Sequence, residues 1–254
     1  MDTTPSPDLV RAALAEQTLA LAAEAATLTA ADLAAPSALP GWSRGHVLAH
    51  VRLNAEAFVG VLGAAARGEV VSMYPGRAER DAAIEAAATD ASDRQTAALL
   101  DSAERFTRAW AALPQQRYDV EFTSPAGWFQ PAGVVGFFRW REVVLHRADL
   151  HPADAGHRSP VDVLAAAEPA LVARLLAETC TAFAGRADVP ALAVTATDLG
   201  TTWELHADGT ANDAADGATT VSGPAAALAA WLTGRGSGTG LTSSGPLPAL
   251  PAFA

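Results

Sequence analysis

The 254-residue chain contains no lysine and a single cysteine, Cys180. One cysteine cannot close a disulfide within the chain, which excludes a disulfide-stapled secreted scaffold. All 17 basic residues are therefore arginines, and they form no dense run. Against 28 acidic residues they leave a net charge of −11. Nucleic acid needs a basic footprint that neutralises phosphates, and an anionic membrane surface asks for the same, so neither partner is expected. Long apolar runs are scarce too. The alanine-rich stretches are interrupted by charges before the roughly 20 residues that a membrane span requires. The N-terminus, MDTTPSPDLV, is acidic and has no basic segment ahead of an apolar one. It does not read as a secretory signal, and the expectation is a cytoplasmic protein. What the chain does have is material for a core: 50% hydrophobic and 18% charged residues, enough for one large domain or two small ones.

Apolar residues recur at helical spacing over residues 6–28 (Leu9, Ala13, Leu14, Leu19, Leu21). Pro40 and Gly41 make residues 36–42 a loop, and Ser43 is a good N-cap for a second helix running to about Arg67. Its core face would carry Val47, Val51, Phe58 and Leu62. After a connection containing MYPG, one long third helix is predicted over about residues 79–113, ended by Pro114. A turn-rich stretch at 124–133 leads to a fourth helix at about 134–150. Four long helices with no convincing strand among them predict a four-helix bundle over residues 1–155. Beyond it the texture changes. A helix at 161–183 is followed by two alternating segments, 191–197 and 201–207, around the hairpin signal Asp198-Leu199-Gly200. A short strand at 219–222 and a helix at 225–233 complete a small α+β domain over residues 156–254, so the fold class is α+β with two domains.

Two short patterns carry chemistry. The fourth helix places Glu142 and His146 four residues apart, so the side chains stack one turn apart on one face. The second helix places His46 and His50 at the same spacing. If these helices pack side by side, their histidines and Glu142 converge inside the bundle. Two histidines and a carboxylate suit zinc with an open position, or a non-haem iron triad. The alternative is an ordinary Glu–His ion pair with helix-terminal histidines. His50, one turn deeper than His46, is the better ligand, while Asn54 and Asp149 continue the same faces as supporting partners. Further on, Gly234-Arg235-Gly236 lets backbone approach a ligand while Arg235 offers a fork to a carboxylate, or else it is a glycine helix cap with an exposed arginine. Arg80, just after MYPG, is open to the same two readings. Cys180, on an alanine-rich helix with no histidine nearby in sequence, reads as a buried structural thiol.

The segments GWSRGHVLAHVRLNAEA, MYPGRAERDAAIE, FRWREVVLHRADL and VSGPAAALAAWLTGRGSGTGLTSSG together resemble the mycothiol-dependent maleylpyruvate isomerases of actinobacteria. The likeness covers most of the chain and is weakest over residues 186–217. It implies a DinB-like metal-binding bundle followed by a domain similar to sterol-carrier-protein folds. It also implies a zinc site on His50, Glu142 and His146, with His46 matching a motif histidine that is not a ligand. The family's essential C-terminal arginine falls on Arg235, and Arg80 is a second candidate. The resemblance thus implies catalytic roles for Arg235 and Arg80. It also implies mycothiol and zinc as cofactors, with Arg235 and Asn54 on the cofactor side, and a small dianionic substrate isomerised from cis to trans. The runners-up are a mycothiol S-transferase on the same fold and a non-catalytic zinc-binding regulatory protein. Nothing marks a subunit interface, so a monomer is expected.

Overall fold

The computed structural model describes residues 5–152, 156–205 and 218–253. These fall into two compact units, one of residues 6–157 and one of residues 158 onward together with Pro5. The expected boundary at 155/156 abuts residues 153–155, which lie outside the described residues, as do His206 and Ala207 of the expected second strand.

In the first unit, Ser6 accepts from the Leu9 amide and starts α1 (Pro7–Ala25), and α2 (Ala30–Ala34) is a short turn closed by a Thr29–Asp32 capping box. The helix expected after Ser43 is α3 (Arg44–Arg67), which Gly68 ends in the left-handed conformation at φ +80°. Its predicted core face is buried: Val47, Val51, Phe58 and Leu62 are all shut from solvent. By length and composition α3 could also cross a membrane, contrary to the sequence expectation, but 61% of its most apolar window is buried inside the protein.

The long third helix is two helices, α4 (Arg77–Ala88) and α5 (Ser92–Ala112). The chain breaks at Thr89-Asp90-Ala91, where short polar side chains compete for the backbone. The buried Gln95 amide donates to the carbonyls of Ala87 and Ala88 at 3.0 and 3.3 Å, satisfying the end of α4. The bundle region also holds strands that the sequence did not suggest. β1 (Val71–Ser72) pairs in parallel with β2 (Glu121–Thr123), and β2 pairs antiparallel with β3 (Phe129–Pro131). At two to three residues each, such strands fall below the length at which alternation becomes visible. Next comes α6 (Val135–Asp149), and α1, α3, α5 and α6 pack on one another around a core that includes Leu21, Leu48, Leu99, Phe106 and Trp140.

In the second unit, the expected 161–183 helix is likewise divided, into α7 (Pro160–Ala165) and α8 (Pro169–Phe183), because Pro169 cannot continue α7. β4 (Leu192–Ala196) and β5 (Thr201–Leu205) form the predicted hairpin, and β6 (Thr219–Gly223) lies parallel to β4. A short β7 (Thr242–Ser243), unforeseen, completes the order β5-β4-β6-β7. All eight residues of α9 (Ala225–Leu232) are buried, and its first amide donates to Asp198 of the hairpin at 2.9 Å.

Gly45 sits where α3 meets α4. A Cβ there would lie 2.4 Å from the carbonyl oxygen of Ala88, a backbone atom that cannot swing away. Gly45→Ala is expected to destabilise the protein by about 1–3 kcal/mol, the usual cost of overpacking. Urea unfolding checks this: an unchanged midpoint would mean that the two helices separate freely.

Candidate metal centre

The α3–α6 contact brings His50 and Glu142 together although 92 residues separate them. His50 Nε2 lies 3.0 Å from Glu142 Oε2, and His146 Nε2 lies 3.6 Å from the same oxygen. One donor atom from each of the three residues lies within 4.8 Å of the others, and they form the one such group among the described residues. The two imidazoles meet edge to face at 4.5 Å, and Trp42 of the predicted loop closes one side at 5.5 Å from the His50 ring.

The outer atoms are held as well. Asp149, one turn beyond His146, places Oδ2 2.9 Å from His146 Nδ1, which leaves Nε2 to face Glu142. On the other side Arg80 Nη2 lies 3.3 Å from His50 Nδ1. Burial holds the His50 imidazole down at about 4, and the neighbouring His146 charge adds to the effect, so His50 is neutral at physiological pH. Burial would also lower His146, but its hydrogen bonds to Asp149 and Glu142 outweigh this and raise it. Burial works against ionisation of Glu142, yet hydrogen bonds from both histidines hold it well below the usual carboxylate range. The set is thus an anionic carboxylate, a neutral imidazole and a second imidazole turned by a carboxylate. That donor chemistry fits a divalent cation of the zinc type, with three protein ligands.

His46, also placed by helical spacing, is not part of the group. Its Nδ1 joins Ser43 in the capping box and its Nε2 pairs with Glu85 of α4 at 2.9 Å. Asn54 is buried at 3% exposure, with Oδ1 accepting from Arg139 Nη1 at 2.9 Å. Arg139 itself was not singled out by the sequence. It sits one turn before Glu142 and is 1% exposed, and no helical pattern separates such an arginine from a surface one. In the second unit Gly234 takes φ +74° and the Arg235 and Gly236 amides both donate to the Ala230 carbonyl, a glycine-type end for α9. Arg235 Nη1 donates to the Thr233 carbonyl at 2.9 Å. Cys180 is buried, which pushes its thiol up to about 12.

Asp149→Asn should weaken divalent-metal affinity about 10–100-fold while leaving far-UV circular dichroism unchanged, since the substitution disturbs only the orientation and basicity of His146. Competition with a chromophoric chelator measures it, and equal affinity would show that Asp149 does not support the ligand set. A thiol reagent should leave Cys180 unmodified in the native protein and label it after unfolding, the readout being intact mass.

Residues 14–151 match the family model described as the mycothiol maleylpyruvate isomerase N-terminal domain, and residues 158–252 match the MDMPI C-terminal domain. No curated protein sequence matches the chain. Among solved structures, that of the mycothiol-dependent maleylpyruvate isomerase is similar at a TM-score of 0.83 with 24% identity, over 98% of each chain. A histidine-to-alanine mutant of that enzyme gives the same TM-score and coverage at 23% identity. At these identities the structures establish a shared fold, and the family models cover most of the sequence. The chain belongs to the mycothiol maleylpyruvate isomerase family.

Proposed function

We propose that the protein is a mycothiol-dependent isomerase that converts maleylpyruvate to fumarylpyruvate at a zinc site formed by His50, Glu142 and His146. The observation that carries this reading is the buried convergence of these three donors within 4.8 Å, inside the region that matches the family's N-terminal model. Residues 1–155 are the metal-binding domain and 156–254 a second domain, which carries Arg235.

A cis double bond conjugated to carbonyls does not rotate at a useful rate. Mycothiol supplies a sulfur that adds reversibly to that bond, so that it becomes a rotatable single bond. Zinc, when bound, supplies a Lewis acid that keeps a thiol deprotonated near neutral pH or polarises a substrate carbonyl. The chain's own residues do the rest. His50 and His146 present Nε2, and Glu142 contributes the charge that makes the site favour a dication. An imidazole that gives Nε2 to a metal carries its proton on Nδ1, which then repels the guanidinium N–H of Arg80. With a metal held at His50 Nε2, Arg80 Nη2 would lose its acceptor at His50 Nδ1 and would be available to an anionic substrate. Arg235, in the second domain, is the other arginine that the family resemblance gives a catalytic role, as a donor to anionic oxygen. Asn54, being buried, serves the cofactor pocket through the residues that it holds. Because the net charge is −11, long-range attraction does not draw a dianion in, and local arginines have to. Three ligands also suit an open catalytic site better than a structural one, which takes four. Mycothiol and the substrate are the only partners proposed, for a cytoplasmic monomer.

Zinc-loaded protein should convert maleylpyruvate to fumarylpyruvate only with mycothiol present, at catalytic levels of the thiol. Thiol consumed one-for-one would instead make the protein an S-transferase. Chelation should abolish turnover while circular dichroism is retained; unfolding on chelation would mark a structural metal. Arg235→Ala should lower turnover by roughly 10²–10³, the effect of losing an oxyanion donor, and near-parent turnover would remove that role.

A further inference from the structure

The two carboxylate oxygens of Glu142 keep different company. Oε2 is the one that both imidazoles approach, His50 Nε2 at 3.0 Å and His146 Nε2 at 3.6 Å. Oε1 instead lies 3.8 Å from Nη2 of Arg141, the preceding residue of α6. At that distance the contact is an ion pair and not a hydrogen bond. It is a sheltered pair, the two side chains being 17% and 20% exposed. Arg141 is also anchored from behind. Its guanidinium carbon sits 4.6 Å from the centre of the Phe138 ring, one turn back on the same helix, a cation–π contact that fixes where the charge stands. The arginines nearby are placed otherwise: Arg80 reaches the outer nitrogen of His50, and Arg139 is taken up by Val51 and Asn54. Arg141 meets the carboxylate itself.

A carboxylate can hold a metal through one oxygen or through both. Which it does depends on what else claims the second oxygen. A guanidinium fixed beside Oε1 answers the charge on that oxygen and repels a dication that would come to share it. The side of the carboxylate turned to the histidines carries no such cation. Catalytic zinc takes three protein ligands and leaves a position open, widening to five ligands only as the reaction proceeds. A second oxygen from Glu142 would fill the place that an incoming ligand needs.

We infer that Arg141 is a positioning residue that limits Glu142 to one ligating oxygen, Oε2, and so keeps a coordination position open for an incoming thiolate. This deepens the metal reading proposed above and rests on it. It does not depend on whether isomerisation or thiol transfer follows.

Cobalt(II) in place of zinc tests this, because its visible absorption is strong with four ligands and weak with five. The parent protein should give the strong spectrum. Arg141→Met keeps an apolar stem against Phe138 and removes the charge, and its spectrum should weaken toward the five-ligand type. Its affinity for 2-mercaptoethanol, read from the sulfur-to-cobalt charge-transfer band, should fall about tenfold, the usual scale for losing a group behind a ligand. Arg141→Lys, which keeps a cation, should restore both readings. A methionine variant with the parent's spectrum and thiol affinity would overturn the assignment. Infrared difference spectra of zinc-loaded against metal-free parent protein decide the point even if the variants fail to fold. Widely separated carboxylate stretches mark a one-oxygen ligand and support the role, whereas closely spaced ones mark two-oxygen ligation and remove it. A parent protein that binds neither metal would instead end the metal reading itself, and the role of Arg141 with it.

Discussion

Arg139 leaves α6 one turn ahead of Glu142, and its guanidinium crosses to α3, where the Val51 carbonyl and the Asn54 amide oxygen accept its hydrogen bonds at 2.7 and 2.9 Å. Burial lowers this group to about 10, so it remains charged at neutral pH inside the protein. A buried charge is tolerated only where fixed dipoles answer it, and stranding one costs about 3–5 kcal/mol. Sliding α6 along α3 by one turn would break both bonds at once. The register of the two helices, and with it the meeting of His50 with Glu142 and His146, therefore depends on this contact. On the other side of α6, Arg147 does the same toward α1, bonding Glu24 at 2.8 Å and Gln17 at 2.9 Å.

The site built on that register is a place where stability is given up for function. Three titratable side chains share a water-poor space, and each has its protonation set by the others. Glu142 stays ionised only because two imidazoles bond to it, and His50 stays neutral because burial and His146 together disfavour a second positive charge. Such a cluster is less favourable in a bare protein than an apolar filling of the same volume would be. A divalent cation would relieve that conflict, because it would answer the carboxylate and take up the imidazole lone pairs. Around it the protein places groups of the opposite kind: Arg80 beside His50, and Arg139 bonded to Asn54. The result is a cationic rim on an acidic molecule.

How much of this could be read from the chain varies with the physics involved. The cap at Ser43, the end of the helix at Arg67 and the buried face of α3 follow from local rules that act within one turn, and the structure has them where those rules put them. The Glu142–His146 pair is set by helical geometry in the same way. The break at Thr89-Asp90-Ala91 was written in short polar residues, but whether such residues break a helix depends on a partner elsewhere, here Gln95 and the close approach of Gly45. The strands β1 to β3 escaped notice because two or three residues carry no period, and their pairing joins segments some fifty residues apart.

By itself, then, the sequence determined the helices α1, α3 and α6, the cap at Ser43, the spacing of the ligand pair on α6, the separate texture of the C-terminal third and the family. Those properties depend on neighbours within a few residues, and on motifs long enough to be matched. Tertiary structure decided which histidine of α3 joins the cluster and which one caps a helix and pairs with Glu85, although the two are equivalent as pattern. It also decided that Arg139 is buried and that the Arg80 guanidinium lies 5.7 Å from the Tyr74 ring centre and 3.3 Å from His50. An arginine or a tyrosine has the same local propensities inside or outside. Only the packing of distant helices sets the desolvation and the partners that turn it into part of a site.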